Sequence, residues 1–143
     1  MKLMILDGNS IVNRAFYGVR PLSAPDGTPT NAVYGFLAIL QRMLDEQKPE
    51  AVCVSFDLKA PTFRHKACNF YKAQRKPMPE ELAVQMPLLK EVLAAMRIKT
   101  LELEGYEADD IQGTVSAWVE SLPEGHAYIL SGDRDLFQLI DDR

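Results

Sequence analysis

The sequence is poor in cysteine and has no apolar run long enough to cross a bilayer. Its two cysteines, Cys53 and Cys68, lack metal-type spacing, so no structural disulfide and no zinc cluster of His and Cys is expected. The apolar run nearest the start, residues 3–6, is too short for a signal-peptide core and far too short for a membrane helix. A cytoplasmic protein without membrane contact is therefore expected. Low-complexity tracts and internal repeats are absent, as are a Gly-rich phosphate loop with its lysine and a nucleophile elbow. P-loop nucleotide hydrolysis and acyl transfer are thus poorly supported. Between residues 58 and 79 there is no Asp or Glu at all.

What remains is an ordinary globular composition. With 143 residues, 47% hydrophobic and 25% charged, the chain is long enough for one domain with its own core. A net charge of −4 weighs mildly against a nucleic-acid partner. Its distribution along the chain reverses that inference.

Residues 2–6 read as a buried strand that stops at Asp7-Gly8. Asn9 or Ser10 can cap a short helix to about Tyr17, with Ile11, Val12, Ala15 and Phe16 on its apolar side. Residues 18–29, rich in Pro and Gly, form a loop. A longer helix then opens at Thr30 or Asn31 and ends at Pro49, burying Val33, Phe36, Leu37, Leu40 and Leu44. Residues 51–56 are a second buried strand, closed by Asp57. One amphipathic helix is predicted over 80–96, with Leu82, Met86, Leu89, Leu93 and Met96 on its stripe. Residues 100–103 are a weaker third strand. The helix after Glu107 is expected to bury Ile111, Val115, Trp118, Val119 and Leu122. A fourth strand spans 127–130, and a last helix starts at Asp135. Strands alternating with helices predict a mostly parallel α/β sheet, with right-handed crossovers and helices on both faces.

In such a sheet ligands bind outside the carboxyl ends of the strands. Asp7, Asp57 and Asp133 fall at that edge, Asp135 adds to the last pair, and Glu107, Asp109 and Asp110 follow the third strand. One aspartate after a strand is turn chemistry, and one acid at a helix start is a cap. Acids from four separate turns point to a shared site. Glu107 and Asp110, three apart, share a helical face, whereas Asp109 needs the looser geometry of the helix start to join them. Crowded carboxylates raise one another's pKa unless a cation lies among them. Oxygen-only ligands suit Mg²⁺ or Mn²⁺, and a pair of such ions about 3.5–4 Å apart cleaves phosphodiesters.

The acid-free stretch suggests the substrate. It holds Lys59, Arg64, Lys66, Lys72, Arg75 and Lys76, six of the chain's sixteen Lys and Arg, with Phe63, Phe70 and Tyr71 interleaved. Basic side chains that hold phosphates beside an aromatic that stacks on a base suit single-stranded nucleic acid. Phe63 is expected to pack inward and Tyr71 to stack.

Five segments carry a resemblance: LDGNSIVNRAFYG, TNAVYGFL, SFDLKAPTFRHKACNFYKAQRKPMPEEL, LELEGYEADDIQGT and LSGDRDLFQLI. In this order and spacing the sequence resembles the 5′ nuclease domain of bacterial DNA polymerase I, a relative of the flap endonucleases, over essentially its whole length. The resemblance implies a PIN-like fold with an arch or clamp at about 58–80. It implies metal ligands at Asp7, Asp57, Glu107, Asp109, Asp110, Asp133 and Asp135. Lys72 and Arg75 would match the family's basic pair near the scissile phosphate and Tyr71 the aromatic beside them, while Arg64, Lys66 and Lys76, read from the basic stretch itself, are expected to hold the DNA with them. The implied reaction is Mg²⁺- or Mn²⁺-dependent hydrolysis at 5′ flaps and single/double-strand junctions, without an obligate protein partner. The family's pattern runs on past Arg143, with two further aspartates and a helix-turn-helix-like element, so a truncated domain is expected. The alternatives are a PIN-type ribonuclease, or a silent fragment that binds single-stranded DNA.

Overall fold

The computed structural model describes residues 1–57, 78–102 and 108–131, with Ala108 and Asp109 as backbone alone. The basic segment up to residue 77, the residues 103–107 with Glu107, and the predicted helix from Asp135 lie outside the described residues. Four strands form one parallel sheet: β1 (Lys2–Asp7), β2 (Ala51–Ser55), β3 (Lys99–Leu101) and β4 (His126–Leu130), in the order β3-β2-β1-β4. The chain steps outward from β1 to β2 to β3, then returns to the far side of β1. With right-handed crossovers throughout, that reversal places the last connecting helix on the opposite face from the others.

The helices are α1 (Gly8–Gly18), α2 (Asn31–Gln47), α3 (Glu80–Ala83), α4 (Gln85–Ala95) and α5 (Ala108–Glu120). Alternation along β1 feeds the two layers. Met4 and Leu6 pack with Ile11, Val12, Phe36, Leu40, Leu89 and Leu93 from α1, α2 and α4, whereas Leu3 and Ile5 pack with Cys53 and Val119 of α5. Cys53 is a free thiol in that second cluster, and burial pushes its pKa up to about 11. Among the described residues no helix is long and apolar enough to cross a membrane.

The mostly parallel sheet, the helices on both faces and the inward faces of α1 and α2 are as expected, and four details differ. Asp7 itself caps α1, accepting from Ser10 N at 3.3 Å, in place of Asn9 or Ser10. The third strand ends at Leu101. The predicted helix over 80–96 is broken at Val84, because Pro87 lacks an N–H and its ring would collide with the carbonyl four residues back. Beyond that break Met96 is exposed. On α5 the buried positions are Gln112, Ser116 and Val119, while Trp118 is 57% exposed and Ile111 and Val115 are only partly covered. That inward stripe runs through two polar residues, which an apolar periodicity does not count.

Gln85, fully buried at the start of α4, ties three helices together. Its Oε1 accepts from Ala32 N and Val33 N at 2.8 and 3.1 Å, capping α2, whose own N-cap Thr30 makes no side-chain cap bond. Its Nε2 donates to Asn31 Oδ1 and Glu81 O, both at 2.9 Å. Asn31 Nδ2 in turn donates to Phe16 O and Val19 O at 3.0 and 3.1 Å, satisfying carbonyls at the end of α1.

Candidate active site at the carboxyl edge of the sheet

The strand order places a topological switch point beside β1, where α/β sheets open a crevice at their carboxyl ends. Asp7 ends β1 at that point. It is 6% exposed, its Oδ1 accepts from Ser10 N, and its Oδ2 accepts from Ser131 Oγ at 2.8 Å. Ser131 is the residue just past β4, so the two strands that flank the crevice are joined through this carboxylate.

Across β1, Asp7 stands in register with Ser55 at the end of β2, and Asp57 follows two residues later. The Asp57 backbone N–H donates to Asn9 Oδ1 at 2.8 Å, which fixes the exit from β2 to the first turn of α1. This close approach depends on Gly8. A Cβ there would lie 2.4 Å from Phe56 Cε1 and 2.7 Å from Ser55 O. Phe56 is fully buried and cannot withdraw. Gly8→Ala is expected to cost about 1–3 kcal/mol, the usual penalty of overpacking a core. A urea midpoint unchanged by this substitution would contradict the close approach.

A cavity of about 680 Å³ opens beside Asp57, with Asn9, Met86, Pro87 and Lys90 among its lining. Lys90 Nζ is held 2.5 Å from Glu102 Oε1 and 5.1 Å from the centroid of the Phe56 ring. The third contribution to the edge is α5. Gln112 Nε2 donates to Ser55 Oγ at 2.7 Å, which sets the start of this helix beside the end of β2. Asp110 lies two residues nearer the helix N-terminus, about 3 Å further along the axis. Its backbone carbonyl accepts from Thr114 Oγ1 at 3.0 Å.

Of the seven expected metal ligands, Asp7, Asp57 and Asp110 have described side chains, and all three belong to elements that meet at this edge. Asp109 is placed in the first turn of α5 by its backbone. Glu107, Asp133 and Asp135 lie outside the described residues, as do Arg64, Lys66, Tyr71, Lys72, Arg75 and Lys76. Among the described residues no three His, Cys, Asp or Glu side chains converge as a metal cluster. The donors present are carboxylate oxygens, the set a hard divalent cation takes. Sequence reasoning missed Ser131, Asn9 in its role as the clamp on Asp57, and the pair Gln112 and Ser55. Only Gln112 left a trace, being three and seven residues before Val115 and Val119 on the inward face.

A doubly wound α/β domain with Asp7 at its switch point, and with Asp57 and the acid-bearing start of α5 along the same carboxyl edge, is an architecture that fits a nuclease. The comparisons agree. Residues 2–143 match the family model described as 5′-3′ exonuclease, N-terminal resolvase-like domain. The DNA polymerase I of Geobacillus stearothermophilus is 48% identical over 139 residues, covering 96% of this chain and 16% of that relative. A T5 protein co-crystallised with metal ions matches with a TM-score of 0.73 at 22% identity, over 99% of this chain and 53% of that one. The bacteriophage T5 flap endonuclease, complexed with DNA and metal ions, matches with a TM-score of 0.68 at 22% identity, with the same coverage. This chain belongs to the 5′-3′ exonuclease family and spans about one sixth of the length of its DNA polymerase I relative.

Proposed function

We propose that this chain is the metal-holding part of a structure-specific 5′ nuclease that hydrolyses DNA phosphodiesters at 5′ flaps and single/double-strand junctions. The observation that carries the reading is Asp7, buried at the switch point and held by Ser131, with Asp57 and the acid-bearing start of α5 at the same edge. Asp7, Asp57, Glu107, Asp109, Asp110, Asp133 and Asp135 would hold Mg²⁺ or Mn²⁺. When bound, such ions supply an activated water and charge neutralisation at the leaving oxygen.

The other roles fall to the basic segment. Lys72 and Arg75 neutralise the scissile phosphate, while Arg64, Lys66 and Lys76 hold neighbouring phosphates and Tyr71 stacks on a base of the 5′ single strand. Asp57 stands at the start of that segment, so substrate held by it is delivered to the acidic edge. The products carry 5′-phosphate and 3′-hydroxyl ends. Support comes from the family match and from the flap endonuclease complex with DNA and metal ions.

Cleavage of 5′-flap DNA and of single-stranded RNA, side by side with added Mg²⁺ or Mn²⁺, tests the assignment. Flap cleavage that is lost in Asp133→Asn is expected. A clear preference for RNA would mark a PIN-type ribonuclease. Salt-sensitive binding without turnover by either protein would mark a silent DNA-binding fragment.

A further inference from the structure

Gln112 is fully buried, yet its amide is only half employed. Nε2 donates to Ser55 Oγ, while Oε1 is shielded from solvent and has no hydrogen-bond partner among the described residues. A buried acceptor left unpaired bears its whole desolvation cost. Turning the amide over would not help. The Ser55 hydroxyl has one proton, which it donates to Leu6 O at 3.4 Å, and the amide nitrogen would then be the orphan. A leucine of similar size would avoid the penalty altogether. Stability is therefore a poor account of this side chain.

Its bond has a direction and a place. The relay from Gln112 to Ser55 to the Leu6 carbonyl joins α5 to the ends of β1 and β2, at the residue that pairs with Asp7 and the residue that precedes it. The rest of the buried α5 stripe is Ser116 and Val119, and Val119 packs toward the opposite end of the strands with Leu3 and Cys53. Apolar contact of that kind resists separation but leaves a helix free to slide or turn by a fraction of a residue. A 2.7 Å hydrogen bond between buried groups does not.

We propose that Gln112 is a positioning residue, whose bond to Ser55 fixes the height and rotation at which the acidic first turn of α5 stands beside Asp7. A divalent cation shared between Asp7 and α5 then meets its ligands already in place. This rests on the metal-site reading above and adds to it the element that sets the spacing.

The test is Mn²⁺ binding to the 143-residue chain, followed by the electron paramagnetic resonance signal of the free ion, together with metal-free thermal unfolding. Gln112→Leu is expected to unfold at the same or a higher temperature, since the orphan is gone, while its Mn²⁺ affinity falls about tenfold, as when a group that orients metal ligands is lost. A purely structural role predicts no such opposition. Ser55→Ala breaks the same bond from the other side and is expected to weaken Mn²⁺ binding to a similar degree. Wild-type affinity in both folded variants would overturn the proposal. If the wild type binds Mn²⁺ no more tightly than Asp7→Asn, the metal reading fails first and takes this inference with it.

Discussion

Asp7→Asn is expected to leave the domain folded and to remove the proposed metal-dependent cleavage. Asparagine caps a helix as well as aspartate, so the bond from Ser10 N to Oδ1 survives. The Ser131 hydroxyl, which now donates to Oδ2, can rotate to accept from the new amide. The change in stability should stay within about 1 kcal/mol. What is lost is one negative charge at the buried position proposed as a ligand. Disturbing even the groups that surround metal ligands costs about 10–100-fold, so loss of a ligand's charge is expected to lower flap cleavage by at least about 100-fold. Parallel thermal unfolding and initial-rate measurements at saturating Mg²⁺ or Mn²⁺ check both halves. Cleavage within a few-fold of wild type would remove Asp7 from the site.

Gln85→Leu should give the largest loss of stability. The substitution leaves Ala32 N and Val33 N without their acceptor and takes the donor from Asn31 Oδ1, all in a dry region, and from the part-buried Glu81 O. Buried groups stripped of partners cost roughly 1–3 kcal/mol each, and partial relaxation should leave a net loss of about 3 kcal/mol. For a chain of this size that lowers the melting temperature by roughly 10 °C. Gln85→Glu separates the contributions. Its carboxylate still accepts from α2, where negative charge is favoured, but it can no longer donate to Asn31 or Glu81. An intermediate loss is expected. A chemical-denaturation midpoint for Gln85→Leu equal to wild type would show that the three-helix tie is dispensable.

Much of the architecture was legible because it rests on short-range pattern. Apolar runs that stop at Asp7 and Asp57 revealed both the strands and the carboxyl edge at which these two residues stand. The spacing of Val33, Phe36 and Leu40 revealed the face that α2 buries. The features that escaped depend on partners far away in sequence. Gln85 reads as an ordinary helical residue, and its role comes from Ala32 and Val33, more than fifty positions earlier. Ser131 reads as a turn residue until β4 docks beside β1 and brings it to Asp7. On α5 the apolar pattern misled, because Trp118 is outward and Gln112 and Ser116 are inward. The break at Val84 could have been anticipated from Pro87, whose effect falls on the carbonyl four residues before it.

The pairing of β1 with β4 also governs how the domain comes into being during synthesis. β1 emerges first, but one of its flanks stays open until Lys2 can pair with His126, and Asp7 meets Ser131 only after 124 further residues have been made. At bacterial and eukaryotic elongation rates that interval is roughly 6–25 s. For its duration the nascent chain carries a buried-type strand with an exposed flank, a natural target for chaperones, and it cannot complete the surroundings of its key carboxylate. The domain is thus assembled from its centre outward but finished at its first strand.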